Sequence, residues 1–258
     1  MACRCGAAST TMGIMEYRAT AQSAVDGSER RRRAAEITRR LRVTHAVGPW
    51  QPSGTPLEEL VQTILSQHTS DVNSARAYAE LRQRFPTWEE VVAAPVDEVA
   101  DAIRSGGLAR QKAPRIQAAL EAALNSGENP PLASLFTLPL PEAKRRLTSL
   151  PGIGPKTAAC VLLFACGRPA LPVDTHVYRV SRRVGLIDPG VSEAAAHDRL
   201  EPLLSPEDVY PFHVGLIRHG RRVCKATRPR CDECCIRDLC DYYQAGCHDT
   251  RQDAAAGT

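Results

Sequence analysis

Between residues 33 and 221, apolar side chains recur three and four positions apart, and no stretch alternates apolar with polar for long. That period is helical. In the segment 55–65, Leu57, Leu60, Val61, Ile64 and Leu65 fall on one face. Thr55 is placed to N-cap it, Pro56 to open the first turn and Glu58 to complete a capping box. Further helices are expected near 33–46, 72–84, 95–104, 110–125, 141–148, 155–166, 175–186, 192–203 and 209–221. Gly106-Gly107, Gly127 and Gly167 read as stops. Residues 128–141, with four prolines, read as a connector. Residues 1–32 and 246–258 read as a disordered extension and tail. The expected fold class is all-α.

No run of eighteen apolar residues exists, so no membrane span is expected. The N-terminus lacks the apolar core of a secretory signal. A reducing, cytoplasm-like compartment follows, where the chain's ten cysteines, where clustered, bind metal more often than they form disulfides. A net charge of +4 does not by itself argue for a nucleic-acid partner. Its distribution does more: Arg218, Arg221, Arg222, Lys225, Arg228 and Arg230 follow one another with no acid between them and run into a cluster of five cysteines. A solvated face is one account of that run. A surface for a phosphate backbone is the other.

The segment 147–167, LTSLPGIGPKTAACVLLFACG, holds a tight Pro151-Gly152-Ile153-Gly154 turn ahead of an apolar helix opened by Pro155. Such glycines supply left-handed backbone and close approach, and the amides that start the next helix suit a phosphate. Lys156 is out of place there, because a cation in a first turn opposes the helix dipole by roughly 0.3–1 kcal/mol. It is either a solvated lysine or an amine whose pKa falls enough to make it a Schiff-base nucleophile. Asp174 precedes a helical pattern and would N-cap it. The same carboxylate could accept a proton or stabilise an oxocarbenium cation.

These motifs, in this order, resemble the endonuclease III family of helix-hairpin-helix DNA glycosylases across residues 33–245. LPGIGPKTA is similar to the family hairpin, and its catalytic lysine falls on Lys156. VDTHVYRV is similar to the segment whose aspartate falls on Asp174. The spacing of Cys224, Cys231, Cys234 and Cys240 is similar to that of the family's [4Fe–4S] ligands. Zinc would satisfy four thiolates equally well on chemistry alone, and the resemblance favours iron–sulfur. Clamped by the cluster, Lys225, Arg228 and Arg230 would face DNA phosphates. Cys160 and Cys166 read as core fillers, and Cys3, Cys5, Cys235 and Cys247 have no assigned role. LSQHTSD (65–71) departs from the family pattern, so either Gln67 or His68 would fill the gap left by a flipped nucleotide. Leu108 matches a wedge residue, or is a core leucine after the Gly-Gly turn.

The resemblance implies two helical subdomains flanking a DNA cleft: a central one at 52–168 with the hairpin, and a cluster subdomain made of 33–51 and 169–245. It implies a bacterial, nucleoid-associated enzyme acting on damaged duplex DNA; a monomer is expected because no coiled-coil heptads or other assembly signal appears. The implied activity is a bifunctional glycosylase and abasic-site lyase on oxidised pyrimidines, with Lys156 and Asp174 catalytic and Gly152 and Gly154 at the DNA. A monofunctional adenine or mismatch glycosylase is the rival within the superfamily, although such enzymes lack the lysine. A non-catalytic binding module with structural zinc is the rival outside it.

Overall fold

The structure, a computed structural model, describes residues 27–247. Twelve α-helices follow in order among them: α1 Gly27–Thr44, α2 Pro56–Ser66, α3 Asp71–Arg84, α4 Trp88–Ala93, α5 Val96–Ala102, α6 Ala109–Leu124, α7 Leu140–Thr148, α8 Pro155–Cys160, α9 Thr175–Arg183, α10 Glu193–Leu200, α11 Val209–Arg222 and α12 Asp241–Gln244. Short 3₁₀ turns link several of them, and no strand occurs among the described residues. The fold is all-α, as the period requires. Among the described residues no helix is long and apolar enough to cross a membrane.

Two compact units divide the chain. Among the described residues, one comprises Gly48–Asp174 with Ser205–His213; the other comprises 27–47, Thr175–Leu204 and 214–247. Within the first of these, α2 is the central element. Its Leu60, Val61, Ile64 and Leu65 are wholly buried, and it packs on α3, α6 and α8. Thr55 and Glu58 form the expected capping box. The connector 128–141 belongs to the same core. Leu132 and Leu135 are fully buried, and the Glu128 carboxylate accepts from Ser134 N (2.8 Å), Ser134 Oγ (2.9 Å) and Arg146 Nη2 (3.2 Å).

Three boundaries differ from expectation. α1 begins at Gly27, inside the stretch read as disordered, where Glu29 suits the first-turn dipole and Arg30 pairs with Asp188 at 2.6 Å. Residues 1–26 and 248–258, with Cys3 and Cys5, lie outside the described residues. α4 and α12 are too short to show a period, although α4 carries its own capping box of Thr87 and Glu90. The helix expected over 155–166 changes pitch. After Cys160 it continues as a π turn, Val161–Ala165, in which Cys166 N reaches back five residues to Val161 O at 3.3 Å. The carbonyls of Leu163 and Phe164 take outside donors, Trp50 Nε1 at 2.8 Å and Ser53 N at 3.0 Å.

Leu60→Ala should cost about 2–5 kcal/mol of unfolding free energy, because its side chain is fully enclosed and the core cannot close over the gap. A urea titration at fixed m-value checks this, and a loss under 1 kcal/mol would refute the central place given to α2.

Candidate active site and nucleic-acid interface

The turn between α7 and α8 is anchored by Leu150 and Ile153, both buried. Gly152 takes φ +73°, and a Cβ there would stand 3.2 Å from Arg115 Nε. Gly154 is extended at φ −93°, and a Cβ there would meet nothing within 4 Å. Only Gly152 therefore needs glycine for its backbone. Gly154 is the N-cap of α8 and brings no side-chain cap.

Lys156 stands in the first turn of α8, half-buried, and Asp174 is the half-buried residue immediately before α9. Both belong to the same unit. Their fields meet at Cys160, one turn beyond Lys156. Burial pushes that thiol up to about 11, Lys156 pulls it down, and Glu59 and Asp174 push it further up. Thr63 hydrogen-bonds the same thiol, so Cys160 is a core residue whose surroundings are polar.

Glu59 has no counterpart in the sequence reading. It is 8% exposed on α2. Its Oε2 accepts from Ser53 Oγ at 2.5 Å and its Oε1 from Thr63 Oγ1 at 2.9 Å. Burial holds its carboxyl above the usual range, while Ser53, Thr63 and the Lys156 charge work in the opposite direction. A signal was available: Glu59 falls among apolar positions of α2, directly before Leu60 and Val61.

The two candidates for the nucleotide gap separate. Gln67 is half-buried, with Oε1 accepting from Arg115 Nη1 at 3.1 Å and Nε2 donating to Thr157 Oγ1 at 3.4 Å. His68 is exposed with φ +53°. Leu108 also has a left-handed backbone, φ +51°, and is 46% exposed, so it is no core leucine.

In the other unit, Cys224, Cys231, Cys234 and Cys240 line one cavity with Arg183 and Tyr242. Among the described residues no three Cys, His, Asp or Glu side chains converge as a single metal ion needs. A tetrahedral zinc would draw sulfurs to roughly 3.8 Å of one another. Arg183 Nη1 points to Cys224 Sγ at 3.2 Å, and His219 Nε2 lies 3.5 Å from Cys234 Sγ. Arg183 also holds Lys225 O (2.7 Å) and Ala226 O (2.9 Å), and Arg179 Nη2 holds Cys224 O (3.0 Å). Lys225, Arg228 and Arg230 are exposed, the last 3.6 Å from Glu233. The basic run is not uniform: Arg218 donates to His45 O at 2.8 Å and Ala46 O at 3.2 Å, at the end of α1.

Because Glu59 keeps its proton to higher pH when folded, ionisation favours the unfolded chain as pH rises above about 4.3. Stability from this group is therefore present at low pH and lost as pH climbs through the folded value. Glu59→Gln should match the wild type in melting temperature near pH 4 and exceed it at pH 8; a gap that stays flat with pH would contradict the burial argument.

A family model described as HhH-GPD superfamily base excision DNA repair protein matches residues 61–206. Endonuclease III of Thermotoga maritima is 35% identical over 190 residues, 73% of this chain and 84% of the relative. Endonuclease III of Escherichia coli K12 is 34% identical over 192 residues, covering 74% and 85%. A solved structure of a trapped endonuclease III–DNA covalent intermediate superposes with a TM-score of 0.71 at 28% identity, covering 84% of this chain and 98% of that one. With half-buried Lys156 and Asp174 in one unit and four cysteines around one cavity in the other, the chain belongs to the endonuclease III family of the HhH-GPD base excision repair superfamily.

Proposed function

We propose that the chain removes oxidised pyrimidines from duplex DNA as a bifunctional glycosylase and abasic-site lyase, with Lys156 as the attacking amine and Asp174 as its carboxylate. One observation supports this reading: Lys156, half-buried in the first turn of α8, and Asp174, half-buried just before α9, lie in one compact unit, and the charge of each reaches the buried Cys160 thiol. The Lys156 amine, relieved of a proton by Asp174, bonds to C1′ of an extruded nucleotide as the C1′–N bond to the base breaks. Asp174 passes that proton on to the leaving base and, anionic again, offsets positive charge developing on the sugar. The C1′–O4′ bond then breaks, with a proton moving from the nitrogen to O4′, and the ring opens to an iminium; this makes the C2′ proton acidic, and its loss expels the 3′ phosphate by β-elimination. The covalent intermediate named for the structural relative is the species this scheme requires.

His68 is the residue assigned to the gap in place of Gln67, since it is exposed while Gln67 is tied to Arg115 and Thr157. Leu108, exposed on a left-handed backbone, is the wedge that keeps the duplex open. Gly152 and Gly154 let the hairpin approach the phosphates. Cys224, Cys231, Cys234 and Cys240 are proposed to hold a [4Fe–4S] cluster, supported by thiols that ring a cavity without converging on a point. When bound, the cluster would act as a covalent staple, leaving Lys225, Arg228 and Arg230 displayed toward DNA. A monomer acting in the bacterial cytoplasm on nucleoid DNA completes the reading.

Borohydride reduction of the protein mixed with abasic-site duplex should trap a covalent adduct that is absent in Lys156→Ala. Asp174→Asn should fold normally and excise about 10²–10⁴-fold more slowly, the usual span for a lost proton-transfer group. Excision measured across duplexes that each bear one oxidised pyrimidine tests the substrate class. Folded wild type that forms no adduct would overturn the lyase assignment.

A further inference from the structure

The two exposed left-handed residues assigned to the DNA gap sit on loops that converge on one buried cation. Lys112, on α6, is 2% exposed. Its Nζ donates to Leu65 O at 2.7 Å, just before the loop of His68, and to Gly106 O at 2.8 Å, two residues before Leu108. One turn along α6, Arg115 Nη2 donates to Gly152 O at 2.8 Å in the hairpin, and its Nη1 holds Gln67, which reaches Thr157 beside Lys156. We infer that Lys112 is a positioning residue for base extrusion, fixing the spacing of the His68 loop and the Leu108 turn.

Water could satisfy the carbonyls of Leu65 and Gly106 without fixing where either loop lies. A single nitrogen bonded to both keeps the two oxygens within about 5.5 Å of each other. Burying an ammonium is costly unless its donors are matched, so this clamp holds only at one separation. Opening a duplex needs the gap filler and the wedge at a set distance, because the two enter adjacent positions in the stack. The brace therefore acts on the step before bond chemistry and leaves the Lys156 reaction itself untouched. The inference rests on the assignment of His68 and Leu108 above.

The test measures extrusion separately from cleavage. A duplex carrying 2-aminopurine beside an oxidised pyrimidine brightens when the neighbouring base leaves the stack, and this signal needs no catalysis, so it can be read in a Lys156→Ala background. Lys112→Met should reduce the rate of brightening by about tenfold or more, as small misplacements of positioning groups do. Cleavage of preformed abasic-site duplex, which has no base to unstack, should fall by less than about threefold, and Lys112→Arg should recover part of the loss. Lys112→Gln keeps a donor without the charge or the full reach, and should show the same selective loss if Lys112→Met does not fold. Equal losses in extrusion and abasic cleavage, or unchanged extrusion in both variants, would overturn the inference.

Discussion

A helix cannot pair its last carbonyls or first amides internally, and an all-α protein must place its chemistry among those ends. Here several carbonyls at or just beyond helix ends are met by cations. Lys112 takes those of Leu65 and Gly106, Arg115 that of Gly152, and Arg168 that of Leu135. In the other unit Arg179 and Arg183 gather the carbonyls of Cys224, Lys225 and Ala226, and Arg218 those of His45 and Ala46. Each pairing favours positive charge where the backbone is negative. Lys156 breaks the pattern: it stands at the amide end of α8, where a cation is opposed, and the residues beneath it are arranged accordingly.

Beneath Lys156 lies a small polar layer within an otherwise apolar core. Ser53 and Thr63 share the Glu59 carboxylate, Thr63 also meets Cys160, and Ser53 N closes the Phe164 carbonyl. Every polar atom of that layer has work inside the fold, which is what lets charged groups persist beside Leu60 and Val61. Chemistry and packing are thus coupled through α2, whose apolar side chains carry the core while Glu59 and Thr63 face the site.

Much of this was legible in the residues. The three-four spacing of Leu57, Leu60, Val61, Ile64 and Leu65, with Thr55 and Glu58 ahead of it, defines α2 from start to finish, because local propensity and burial agree there. The turn at Gly152 was equally plain, although nothing in the letters distinguishes it from Gly154; the difference is a backbone angle, left-handed at one and extended at the other. The basic run before the cysteines could be seen but not divided. Whether an arginine serves a phosphate or a carbonyl depends on which chain end lies within its reach, so Arg218 and Arg228 look alike until the fold is known. Glu59 was hidden for the opposite reason: a lone acid in an amphipathic helix is usually solvated. The pitch change after Cys160 left no mark at all, since Val-Leu-Leu-Phe-Ala suits either helix.

That pitch change has a bearing on how the family's chains can vary. A π turn is an α-helix with one residue too many, and its surplus residue is tolerated here because Trp50 Nε1 and Ser53 N donate to the displaced carbonyls. Excising one residue from Val161–Ala165 would restore regular winding but swing everything downstream by about 100°, carrying Asp174 away from the thiol it shares with Lys156. Insertions and deletions in this lineage should accordingly avoid the stretch between those two charges, however freely its apolar letters interchange.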